Sequence, residues 1–107
     1  MKILNSVENI DTFIKENRFS IIYFSSNSCG VCIGLLPKIQ QLLKAYPRIN
    51  YAKVEVDKAK EAAAKFSVFT LPCIIGFIDE TEIIREARFI SIIELEKKIK
   101  RYYELME

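Results

Sequence analysis

Histidine and tryptophan are both absent from the 107-residue sequence. The first absence removes every mechanism that uses an imidazole as base or metal ligand, the His-dependent serine and cysteine hydrolases among them. No stretch reaches the roughly eighteen uninterrupted apolar residues of a membrane span, so no membrane partner is expected. Asn5, Ser6, Glu8, Asn9 and Asp11 follow Lys2 where a secretion signal would have its apolar core, which points to the cytoplasm. An excess of one charge is missing as well. Sixteen basic against fourteen acidic side chains leave +2, too little to hold nucleic acid by bulk electrostatics. No repeat, low-complexity tract or Pro/Gly/Ser-rich linker divides the chain, so residues 1–107 are expected to form one domain. Half of the residues are hydrophobic, enough for a core without staples, and a monomer is the default at this size.

What is present alternates between strand and helix patterns. Met1 to Leu4 reads as a short strand. Asn5 with Glu8 three residues on has capping-box spacing, and Val7, Ile10, Phe13 and Ile14 continue at helical intervals to about Asn17. Ser20 to Phe24 is a compact β-branched and aromatic run, as in a buried central strand. A second helix is predicted from about Gly30 to Tyr46, with Pro37 kinking it and Pro47 stopping it. Tyr51 to Val56 reads as a strand, and Asp57 as the cap of a short alanine-rich helix ending at Phe66. Cys73–Ile78 and Glu82–Ala87 flank a tight Asp79-Glu80-Thr81 turn and should pair as an antiparallel hairpin. Ser91 and Glu94 form a second capping box, opening a helix that buries Ile92, Leu95, Ile99, Tyr102 and Met106. The result is an α/β fold: a central mixed sheet with a C-terminal antiparallel hairpin and helices on both faces. The tyrosines and phenylalanines fall on apolar stripes or strands and are expected in the core. Lys97, Lys98, Lys100 and Arg101 alternate with Glu94, Glu96 and Glu104, the pattern of a solvated, salt-bridged helix face.

Three cysteines remain, an odd number that makes a poor disulfide framework in a short chain. Cys29-Gly30-Val31-Cys32 falls where the second strand's loop meets the next helix. Unpaired N–H groups and the positive end of the helix dipole favour an anion there. A thiol so placed has its pKa drawn down from about 8.5. Cys32 lies one turn further in and is better covered. In that geometry Cys29 attacks a target disulfide to form a mixed disulfide, and Cys32 then attacks Cys29 and releases the reduced target. Gly30 leaves room for a partner backbone to approach.

With these residues in place, the chain resembles the thioredoxin family over nearly its whole length. The resemblance rests on the C-x-x-C turn after an apolar strand, Pro37 five residues beyond it, the later Leu71-Pro72 pair, and the spacing of Lys53 and Asp57. It implies a thioredoxin fold and a thiol-disulfide oxidoreductase with Cys29 and Cys32 catalytic. It also implies a cis Pro72 whose loop, with Gly30, Val31 and Leu71, holds an extended substrate beside Cys29. Substrates would be disulfide-containing proteins or small disulfides, with a thioredoxin reductase or a low-molecular-weight thiol as electron donor. No cofactor or metal is required, because the electrons reside on the sulfur pair.

Several positions depart from the family pattern. Ser28 stands where a tryptophan is usual. Val31 replaces a proline, which by analogy makes the disulfide easier to reduce. Tyr23 occupies the site of a buried aspartate that assists the second cysteine, and a phenol of reference pKa about 10 is a poor substitute near neutrality. Glu55 on the next strand, beside Lys53, is a candidate replacement if its side chain faces the site. Cys73, where threonine is common, has three readings. It is a buried small hydrophobe, a partner for a regulatory disulfide with Cys29, or the third thiolate of a metal site with Cys29 and Cys32. The last of these defines a rival class, a non-enzymatic binding or metal-handling protein of the same fold.

Overall fold

The computed structural model describes residues 1–106. Its elements run β1 (Lys2–Leu4), α1 (Val7–Glu16), β2 (Phe19–Ser25), α2 (Gly30–Leu43), β3 (Asn50–Glu55), α3 (Lys60–Lys65), β4 (Cys73–Ile78), β5 (Thr81–Ala87) and α4 (Ile92–Leu105). This is the predicted order, with helix ends adjusted. Five strands form one sheet in the order β1-β3-β2-β4-β5. β1, β3 and β2 are mutually parallel, whereas β4 runs antiparallel to both β2 and β5. The central strand β2 is buried along its whole length, as its unbroken apolar run requires.

Strand alternation sorts the apolar side chains into two cores. Ile22, Phe24, Ala52, Val54, Ile75 and Phe77 face one way and pack with Ile10, Phe13 and Ile14 of α1 and Ala62 of α3. Ile21, Tyr23, Ile74 and Ile84 face the other way and pack with Cys32, Ile39, Leu42 and Leu43 of α2 and Leu95 and Ile99 of α4. The β4–β5 connection places Asp79 and Glu80 both at positive φ, 49° and 69°, the left-handed pair that a tight hairpin turn demands.

Three local expectations are corrected. The cap of α1 is Ser6, whose side chain accepts from the Asn9 N–H, and not Asn5. Asp57 does not cap α3; that helix starts after Ala59 with no side-chain cap. Phe69 and Phe89, expected in the core, are the most exposed large apolar residues, at 86% and 87%. Both lie in connections outside the periodic segments that set the burial of the other aromatics. On α4, the expected salt-bridged face is present: Lys97 pairs with Glu94 at 3.4 Å, and Lys98 pairs with Glu86 of β5.

Candidate redox site

β2 ends in a polar loop that hands the chain to α2, and that loop is tied down from below. Ser26 Oγ donates to Asp57 Oδ2 at 2.7 Å, and the Asn27 N–H reaches the same oxygen at 3.3 Å. The Ser28 N–H donates back to Ser26 Oγ at 3.2 Å, and the Cys29 N–H to the Ser26 carbonyl at 3.1 Å. Asp57 therefore braces the entry to α2 instead of capping α3. Proximity across the β3 exit decided this, which local spacing does not encode.

Cys29 is the N-cap of α2, in extended backbone conformation, and its Sγ accepts the Cys32 N–H at 3.2 Å. A first-turn amide thus points at the sulfur, as the helix-start position requires. Cys29 is half-buried and Cys32 is 1% exposed. The two are joined as a disulfide across a Cα–Cα distance of 5.2 Å. Gly30 and Val31 between them are exposed, and a Cβ on Gly30 would meet nothing within 4 Å. Gly30 therefore faces open space and is not packed against a neighbour.

Behind the pair stands Tyr23. It is fully buried, and its hydroxyl donates to the Cys32 carbonyl at 2.7 Å. Burial pushes the phenol up to about 12, so it keeps its proton at any physiological pH. Lys53 lies opposite Tyr23 in the β2–β3 register, and Glu55 lies opposite Ser25. Tyr51, two residues earlier, packs into the Cys32 core, so alternation turns Lys53 and Glu55 to the same face. Glu55 is buried there between the ammonium groups of Lys53 at 3.7 Å and Lys58 at 3.6 Å.

The Leu71–Pro72 peptide is cis, as the resemblance implied. Pro72 is buried, and Leu71 touches both cores. The Pro72 carbonyl accepts the Arg88 N–H at 2.8 Å, which ties this loop to the connection after β5. Of the three readings of Cys73, the structure agrees with the first, a buried and free small side chain. Cys73 is the first residue of β4 and turns with Ile75 and Phe77 into the α1/α3 core, whereas Cys32 and Cys29 belong with the α2/α4 core. Burial pushes its thiol up, consistent with an inert small hydrophobe. Among the described residues, no group of three His, Cys, Asp or Glu side chains could hold a metal ion. Within the same described residues, no helix is long and apolar enough to cross a membrane.

Sequence reasoning gave Arg88 no role and put Phe89 in the core. Neither belongs to a motif or a periodic stretch, and the only local signal is the end of the β5 alternation.

Comparison with known proteins places this geometry among relatives. The family model described as Thioredoxin matches residues 2–101. The chain is 44% identical over 104 residues to a thioredoxin-like protein, YdfQ, of Bacillus subtilis (strain 168), covering 97% of this chain and 93% of that one. It superposes on the Fasciola hepatica thioredoxin with a TM-score of 0.86 at 32% identity, covering 94% and 98% of the two chains. The oxidised mitochondrial thioredoxin 3 of Saccharomyces cerevisiae gives 0.85 at 27% identity, covering 94% of each chain.

Proposed function

The chain belongs to the thioredoxin family and is a thiol-disulfide oxidoreductase, and from that premise we propose that Cys29 is its nucleophile and Cys32 its resolving thiol. The observation that carries the assignment is the Cys32 N–H directed at Cys29 Sγ from the first turn of α2. That donor and the helix dipole favour a thiolate on Cys29 once the disulfide is opened. The half-buried sulfur is the one a substrate can reach; the sulfur of Cys32 is not.

The Cys29 thiolate attacks one sulfur of a substrate disulfide, forming a mixed disulfide and releasing the other substrate sulfur as a thiolate that takes up a proton. Cys32 then loses its proton and attacks Cys29. The Cys29–Cys32 bond forms as the mixed disulfide breaks, and the substrate leaves with two electrons gained. Gly30, Val31, Leu71 and Pro72 border the attacked bond, and their backbone is the surface for an extended segment. Tyr23 is a positioning residue that holds the Cys32 carbonyl and not a base, because its phenol keeps its proton. Electrons return from a reductase or a small thiol. The reading fits a monomer in the cytoplasm, where a reducing poise keeps an odd cysteine free.

Insulin reduction with a thiol donor tests the assignment. The Cys29→Ser variant should lose turnover entirely. The Cys32→Ser variant should accumulate a mixed disulfide on Cys29, visible by mass spectrometry. Turnover by Cys29→Ser, or trapping on any other residue, would overturn the roles.

A further inference from the structure

We propose that Phe89 is a specificity-determining residue, which with Val31 seats a bulky apolar side chain next to the attacked cysteine of the substrate, while Arg88 selects an acidic residue beside it. This rests on the assignment of Cys29 as nucleophile and adds the class of segment it prefers.

Phe89 stands in the short connection between β5 and α4, 87% exposed. It lines a shallow groove of about 350 Å³ with Val31, Leu35, Arg88, Ile90 and Ser91. Val31, between the two reactive cysteines, is itself 67% exposed. The groove's apolar floor therefore begins at Val31, inside the redox turn and two residues from the cysteine to which a substrate is bonded. An exposed aromatic continuous with a reaction site marks a surface that is covered during the reaction. The backbone that carries Phe89 is also held in place. Arg88 takes a positive φ of 69° that turns the chain outward at this point. Its N–H donates to the Pro72 carbonyl, and the Phe89 N–H to the Ala87 carbonyl at 2.9 Å. The residue that presents Phe89 is thereby fixed to the loop flanking the sulfurs, so the backbone at Phe89 and the redox turn keep their relation.

Charge narrows the occupant further. The groove carries one charged side chain, the Arg88 guanidinium, which lies 5.7 Å from the centre of the Phe89 ring. A substrate carboxylate reaching that guanidinium meets no acidic side chain in the lining. An exposed apolar floor and a cation over its aromatic ring together recognise a segment that is apolar beside its cysteine and acidic next to that.

The experiment uses three synthetic peptides with one internal disulfide each, the attacked cysteine flanked by Leu and Glu, Ser and Glu, or Leu and Lys. Single-turnover reduction by the dithiol protein is quenched in acid and quantified by chromatography. The Leu/Glu peptide should react about tenfold faster than Ser/Glu and about threefold faster than Leu/Lys. Phe89→Ala should bring the first ratio within twofold of one, Phe89→Leu should keep most of it, and Arg88→Gln should erase the second ratio alone. The alkylation rate of Cys29 should stay within twofold of the parent in all three variants, a readout that distortion of the redox turn would move. Equal rates on the three peptides in the parent would overturn the proposal while leaving the Cys29 assignment standing. So would a uniform loss on all peptides in Phe89→Ala, or a parent dimer that this substitution splits, which would make a second copy the occupant. Failure of the parent to reduce any peptide would sink the redox assignment and this inference with it.

Discussion

Removing one oxygen from Tyr23 separates its two physical effects. The hydroxyl bonds the Cys32 carbonyl, so at pH 7 the Tyr23→Phe protein should be less stable by about 1 kcal/mol, the worth of a buried neutral hydrogen bond. Alkali reverses the sign. The phenol titrates near 10 in the unfolded chain and near 12 in the fold, so the unfolded state releases its proton first. Stability from this group is intact below pH 10 and lost as the pH rises from 10 through 12. The parent should give up about 1.4 kcal/mol by pH 11 relative to the variant, which closes the gap. Urea unfolding of the oxidised proteins checks this with the two reactive thiols out of the titration; a gap that holds constant to pH 11 would refute it. The cysteine pair was legible in the sequence because a helix start after a buried strand fixes what a thiol can do there. The partner of the Tyr23 hydroxyl was not, since it depends on how α2 lies across β2.

At the scale of the element, alternation decides what a side chain can reach. The one-residue offset between Cys73 and Ile74 puts the thiol on the α1/α3 side, with Phe24 and Ile75, on the opposite face of the sheet from Cys32. The sequence located the start of β4 correctly, but the facing of its first residue depends on the pairing of Phe24 with Cys73, which is long-range. Cys73→Ser should therefore cost about 1 to 3 kcal/mol by placing a hydroxyl among apolar neighbours, while insulin reduction per folded molecule stays at the parent's level. A turnover loss larger than the folded fraction explains would instead put Cys73 at the site. The α1 cap shows the same limit on a smaller scale. Asn5 and Ser6 are adjacent residues able to cap, and only the extended backbone of Ser6 and its bond to the Asn9 N–H distinguish them. Ser6→Ala should cost about 1 kcal/mol, and Asn5→Ala close to nothing, in the same unfolding assay.

For the whole molecule, the order of elements and the division into parallel and antiparallel parts followed from periodicity and from the hairpin turn. The strand order across the sheet did not, because it is set by which apolar faces meet when α1 and α3 cover one side and α2 and α4 the other. Both cores extend well beyond the redox turn, and this bears on function. A protein that cycles between dithiol and disulfide must keep its fold in both states, so the Cys29–Cys32 bond cannot be what holds it together. The bond spans a sequence separation of 3, and closing so small a loop restricts the unfolded chain by only about 2 kcal/mol. A thiolate favoured at the start of α2 acts in the opposite direction, stabilising the reduced fold. The two effects oppose each other, so oxidised and reduced protein should both unfold cooperatively in urea. Their stabilities should differ by no more than about 2 kcal/mol. That difference is also the free energy by which folding shifts the dithiol–disulfide equilibrium, so a glutathione titration of the native and the urea-unfolded protein must return the same value. A reduced form that loses its cooperative transition would mean that the disulfide carries the fold, and a pair with that burden could not serve as a reversible electron carrier.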